Sequence, residues 1–211
     1  MKDRERVESP PAEVTAASRT KAGRPPVSSR SALERVGFEL FAKQGFERTT
    51  VDDIASAAGI GRRTFFRYFA SKNDLVWGEF EEQLVRLDGL LASADPAVSM
   101  VDALRYAIVE FNRFDPAEVP WHRQRMELIL RVPTLQADST LRYASWRAIV
   151  TRFAATRMGL SPSDMLSRQV GHVVLASCLA AYEHWLTEPD AGLSRLLDEA
   201  MRQLTVGFGG Y

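Results

Sequence analysis

From Ser28 onward, apolar residues recur at spacings of three and four, the period of helices buried along one side, and strand-like alternation is almost absent. Leu33, Val36, Leu40 and Phe41 line one face of a first helix that ends near Gly45. Thr50 stands before Val51-Asp52-Asp53, a capping-box-like start with a carboxylate at the third position, and opens a short helix reaching about Ala58. Gly59 breaks it, and a second short helix runs from about Gly61 to Tyr68. A longer helix is expected from Ser71 or Lys72, carrying Leu75, Trp77, Phe80, Leu84, Leu87 and Leu91. Five further amphipathic segments lie near 98–114, 117–131, 134–158, 162–187 and 191–207, punctuated by Pro96, Pro116, Pro133, Pro162 and Pro189. The expected fold class is all-α, with about nine helices. Residues 1–27 hold four of the ten prolines and no periodic pattern, and read as a disordered arm.

The run VDDIASAAGIGRRTFFRYFA, beginning at Val51, fits a helix-turn-helix at each position its geometry restricts. Ala55 falls where two helices cross, and Gly59 falls in a turn that favours positive φ. Ile54 and Ala58 face inward from the first helix, as do Phe65 and Phe69 from the second. That leaves Arg62, Arg63, Phe66 and Arg67 outward on a helix that the turn holds clear of the body. Such side chains suit phosphates, guanine edges and thymine methyls in a major groove.

Charge sharpens this reading. The 211 residues hold 27 Lys plus Arg against 27 Asp plus Glu, yet residues 19–72 carry 11 basic against 5 acidic groups, and residues 73–211 carry 13 against 18. A basic segment beside an acidic one places one part of the chain next to a polyanion. One Cys excludes an internal disulfide. The uncharged stretch Gln169–Tyr182 has 14 residues, short of a bilayer span. The start MKDRERVES has no apolar signal core, so the cytoplasm is the expected location and no membrane partner is expected.

The run TTVDDIASAAGIGRRTFFRYFASKNDL resembles the DNA-binding signature of the TetR family of bacterial transcriptional regulators, over about residues 30–77. The resemblance implies a three-helix DNA-binding domain, here 28–73, on a larger helical ligand-binding and dimerisation domain, here 74–211. GIGRRTFFRYFASKNDLVWG and EVPWHRQRMELILRVPTLQA look most like the branch of regulators that accompany mycofactocin biosynthesis clusters. Carried over by position, Thr50 resembles the family's helix-capping residue that also touches a phosphate. Tyr68 and Lys72 resemble its phosphate anchors, and Arg63, Thr64, Phe66 and Arg67 fall on its base-reading helix. Gly61 stands where many members have Ser or Thr, which implies a weaker cap, and Arg63 where many have Gly or Ala. In the arm, Gly23-Arg24-Pro25 resembles the core of minor-groove-reading tails, with a solvated tail as the alternative for Arg24.

The segment Gln169–Tyr182 is apolar nearly all round, so it must bury more than one face. The resemblance implies dimerisation through the segments 162–187 and 191–207, hence a homodimer on two DNA half-sites. A small-molecule pocket is expected from Trp121 and Arg125 on 117–131, from Tyr143, Trp146, Val150 and Phe153 on 134–158, and from Phe111 and Asn112 on or beside 98–114. Arg142 lies at the edge of the aromatic face on 134–158. The alternative is a plain helical core with Arg125 paired to Glu110 or Glu183. The aromatic and Arg content suits an amphipathic ligand with an anionic head, and acyl-CoA thioesters are a ligand class used in the family. No catalytic, cofactor or metal motif is present: His172 and His184 each lie six residues from Cys178 and share no helical face with it. Cys178 reads as a buried small hydrophobe and His172 as a satisfied core residue. The competing reading is an all-α enzyme or sensor with an incidental helix-turn-helix.

Overall fold

A computed structural model describes residues 29–188 and 190–206, and these form ten helices and no strand. Arg24 and the arm lie outside the described residues. The helices are α1 (Arg30–Gln44), α2 (Val51–Ala57), α3 (Arg62–Tyr68), α4 (Lys72–Trp77), α5 (Phe80–Ala92), α6 (Met100–Phe111), α7 (Val119–Arg131), α8 (Pro133–Met158), α9 (Met165–Thr187) and α10 (Leu193–Val206).

The starts of several helices are written in local side chains. Ser29, Thr50, Ser71 and Ser99 each accept a hydrogen bond from the amide three residues on. At Thr50 the capping box is complete, because the Asp53 carboxylate also accepts the Thr50 amide at 2.8 Å. Those Thr50 hydrogen bonds hold the Asp53 carboxyl below its usual range, the backbone bond contributing most. Helix α3 begins at Gly61 with no side-chain cap.

The single helix expected across 71–91 is instead two. Gly78 takes φ 60° and ψ −131°, a conformation closed to side chains, and there α4 ends. The apolar period survives the break, since Leu75, Trp77, Leu84, Leu87 and Leu91 are all buried, which is why periodicity alone did not reveal it.

Ile54, Ala55, Ala58, Phe65 and Phe69 are buried where α1, α2 and α3 meet, and Gly59 in the turn has φ 68°. Apolar side chains continue without interruption from this unit into the larger one. There α8 and α9 pack on each other, α10 covers α9 and α6, and α5 packs on α6 and α8. Gly171 makes the α8–α9 approach possible: a Cβ there would stand 2.3 Å from Thr151 Oγ1 and 3.1 Å from the Arg147 carbonyl. No helix among the described residues is long and apolar enough to cross a membrane.

Candidate nucleic-acid interface and ligand cavity

Helix α3 turns Arg62, Arg63, Phe66 and Arg67 to solvent, with Phe66 43% exposed, while Phe65 is wholly buried beneath them. Arg62 forms an ion pair with Asp52 of α2 at 2.9 Å, and its guanidinium lies 5.4 Å from the Phe66 ring. Arg67 lies over the Tyr68 ring at 5.2 Å. Arg63 is exposed and pairs with no carboxylate among the described residues, while Thr64 and Tyr68 are half-buried. Thr50 is exposed at the α2 N-terminus, its hydroxyl engaged with Asp53.

Lys72 has a role the sequence did not suggest. Its ammonium donates to the carbonyls of Phe46 at 2.7 Å and Thr49 at 2.9 Å and lies 4.0 Å from the Phe46 ring. Burial lowers its pKa. Two of its three N–H donors thus clip the turn that leads into α2, which leaves one for any phosphate.

A cavity of about 280 Å³ lies in the larger unit, walled by α1 and by α4 through α9. Phe111, Asn112, Arg125, Tyr143 and Trp146 line it. Three expected residues do not. Trp121 faces a separate cavity of about 180 Å³ behind Arg125 and His122. On α8 the lining ends near Trp146: one turn on, Val150 is wholly buried in the core, and Phe153 lies beneath the Arg157 guanidinium. Arg125 pairs with neither Glu110 nor Glu183. Its Nη2 donates to Glu34 Oε2 at 2.7 Å, because α7 packs across the start of α1. Arg142 does not line the cavity either: it pairs with Asp74 and Asp138, lies over Trp77 and borders a separate depression beside Arg30 and Gly78.

One wall carries a closed hydrogen-bond chain. Asn112 Nδ2 donates to the Ile108 carbonyl at 2.7 Å, which turns Oδ1 toward Tyr182, and Tyr182 Oη donates to it at 2.5 Å. With its only proton committed, Tyr182 Oη accepts from His122 Nε2 at 2.7 Å, which assigns the proton to Nε2. Burial, then the charge of Arg125, lowers the His122 pKa to about 3, so the imidazole is neutral. Its ring stacks on Phe114 with centroids 3.8 Å apart. Burial also raises the Tyr182 and Cys178 pKa values, the latter to about 12. Cys178 is therefore an inert thiol in the cavity wall.

Glu34, Trp77, Phe80, His122 and Tyr182 also line the cavity, beyond the residues expected from the sequence. Trp77 and Phe80 carry a sequence signal as aromatics on an apolar stripe, whereas nothing local to Glu34 marks it. His172, expected in the core, is exposed. It follows Gly171, which faces α8, and so turns about 100° away onto the open side of α9. Met165, Leu166 and Val173 are exposed on that side too, at 80%, 48% and 38%.

Residues 35–76 match the family of bacterial regulatory proteins called tetR, and residues 98–209 match the MftR C-terminal domain. The chain is 45% identical, over 83% of its length and 88% of the relative's, to a Mycobacterium tuberculosis protein assigned as the mycofactocin biosynthesis transcriptional regulator MftR. Among solved structures, the fold is similar to Thermus thermophilus FadR, a TetR-family repressor in complex with lauroyl-CoA. That match has a TM-score of 0.54 and 20% identity, over 85% of this chain and 95% of that one. It is also similar to the Stenotrophomonas maltophilia repressor SmeT, with a TM-score of 0.59 and 19% identity over 87% and 93%. At these identities both structures show the fold alone. The two matching domains and the 45% identity place the chain in the TetR family, as a DNA-binding transcriptional regulator rather than an enzyme, with a C-terminal domain of the MftR type.

Proposed function

We propose that the protein is a homodimeric repressor, held on its operator by two copies of α3 and released by a small amphipathic ligand with an anionic head. In this reading residues 28–73 bind DNA, residues 74–211 bind ligand and dimerise, and the protein works in the cytoplasm beside the DNA it reads. Arg62, Arg63, Thr64, Phe66 and Arg67 meet the major groove, Thr50, Tyr68 and the remaining donor of Lys72 meet phosphates, and Arg24 follows the minor groove.

The cavity carries the ligand half of the proposal. It is mostly aromatic and aliphatic in its interior, and the charged groups Glu34, Glu79 and Arg125 cluster where α1, α5 and α7 meet. An apolar body with one polar end suits that division. Phe111, Asn112, Arg125, Tyr143 and Trp146 are the binding residues assigned. FadR was solved with lauroyl-CoA and SmeT with triclosan, each an apolar body with a polar end, which supports an acyl-CoA as the candidate here.

The dimer half rests on the open face of α9, where Met165, Leu166 and Val173 stand exposed beside the small residues Ala176 and Ala180. Two half-sites need two recognition helices, and a two-fold axis through α9 and α10 supplies them. Titrating the protein with lauroyl-CoA tests the whole reading. Quenching of tryptophan fluorescence with parallel loss of binding to the DNA upstream of its own gene is the expected result. Binding of the DNA that no acyl-CoA alters would remove that ligand class.

A further inference from the structure

Glu34 lies on the cavity wall, yet it belongs to α1 of the DNA-binding unit. Its two carboxylate oxygens point toward two different arginines. Oε2 accepts from Arg125 of α7 at 2.7 Å, whereas Oε1 stops 3.7 Å short of Arg30 Nε. That distance is an ion pair but not a hydrogen bond, and Arg30 Nε is buried with no acceptor among the described residues.

The other end of the Arg30 guanidinium is anchored on two backbone carbonyls. Nη1 donates to the carbonyl of Tyr68, the last residue of α3, at 2.9 Å, and Nη2 donates to the carbonyl of Gly78 at 2.8 Å. The plane also lies 4.4 Å from the Phe69 ring. Arg30 therefore joins the end of the recognition helix to the end of α4, and one unsatisfied donor faces the carboxylate that the cavity arginine holds. Gly78 leaves room for the same pair: a Cβ there would stand 3.2 Å from Arg125 Nη2 and 3.4 Å from Glu34 Oε1.

We propose that Glu34 is a two-position latch through which the cavity sets the end of the recognition helix. Held by Arg125, it leaves Arg30 on the Tyr68 and Gly78 carbonyls. An anionic ligand head that takes Arg125 releases Glu34, and the negative charge of Glu79 on the same wall pushes the freed carboxylate away. Glu34 then closes onto Arg30 Nε and draws the guanidinium away from Tyr68. The discriminating group on the ligand is its negative charge, since a neutral body filling the apolar end leaves the Arg125–Glu34 pair intact. A ligand acts only through unequal binding to the two positions, and Arg125 supplies the inequality. This latch rests on the ligand reading above, but it makes predictions for the ligand-free protein as well.

The test uses the full chain and reads amide hydrogen exchange together with affinity for its own upstream DNA. Arg125→Met, without ligand, is expected to speed exchange at residues 66–70 several-fold and to weaken DNA binding about five- to tenfold, while amides of residues 174–182 keep their rates. Adding Glu34→Gln to that variant removes the charge that pulls on Arg30, and is expected to restore both slow exchange and DNA binding. Arg125→Lys, which keeps a cation opposite Glu34, is expected to stay slow. In the wild type, lauroyl-CoA is expected to speed the same segment, and in Glu34→Gln to lose most of that effect. Unchanged exchange at 66–70 in Arg125→Met overturns the latch, as does a uniform rise across the chain or failure of Glu34→Gln to rescue. If Arg125→Met behaves as expected while lauroyl-CoA moves nothing in the wild type, the latch stands and the acyl-CoA assignment falls.

Discussion

His122, Lys72 and Gly78 are each explained by a small number of contacts, and each gives a direct test. His122 is neutral in the fold because burial, and then Arg125, hold its pKa near 3 against an ordinary value of 6.5. Above pH 6.5 the imidazole is uncharged in folded and unfolded chains alike. Below it, the unfolded chain takes up a proton that the folded chain refuses, so stability falls as the pH drops toward 3, by up to about 1.4 kcal/mol per pH unit. Wild type should lose about 2 kcal/mol more between pH 7 and pH 5 than His122→Gln, which keeps a donor for Tyr182. Urea unfolding at the two pH values reads the difference, and equal losses would contradict a buried neutral imidazole. Lys72→Met removes two charge-assisted hydrogen bonds to the turn before α2, and is expected to cost about 1.5–3 kcal/mol in the same assay. It is also expected to reduce the salt slope of DNA binding by about one unit, and an unchanged slope would confine Lys72 to its clip. Gly78→Ala forces a side chain into a region open only to glycine and against the Arg125–Glu34 pair, with an expected loss of about 1–3 kcal/mol in unfolding free energy.

At the scale of elements, α3 owes its function to what it leaves uncovered. Its lower face is fixed by Phe65 and by Phe69 just beyond it, and its upper face holds three arginines in unequal states. Arg62 must leave Asp52 before it can reach DNA, whereas Arg63 has no such partner to release. Arg63→Ala is therefore expected to reduce operator affinity by about 1–3 kcal/mol, and Arg62→Ala by less, when the two are compared in one gel-shift series. A larger loss at Arg62 would reverse the assignment. These elements were legible in the sequence because their signals are local: the Thr50–Asp53 box, Gly59 in the turn and the Phe65–Phe69 spacing each lie within a few residues. The division of α4 from α5 was not legible, since one glycine changes φ and ψ without disturbing the apolar period on either side.

For the whole molecule, the zero net charge is the sum of a basic DNA-facing segment and an acidic remainder. The open apolar side of α9 gives the corresponding assembly prediction. Val173→Arg on that face is expected to convert a dimer into a monomer in sedimentation and to weaken operator binding, since one recognition helix would then act alone. An unchanged mass would place the dimer interface elsewhere. The sequence by itself determined the helices apart from the α4–α5 break, the outward basic face of α3 and the family, because periodicity, caps and turn residues act over three or four positions. Only the tertiary structure decided the cavity. Arg125 meets Glu34 across 91 residues and Tyr182 meets Asn112 across 70, pairings that depend on which helices adjoin. The same packing placed Val150 of α8 in the core. It put His172 of α9 on the surface, because a segment apolar on nearly every side carries no local mark of which side faces a neighbour.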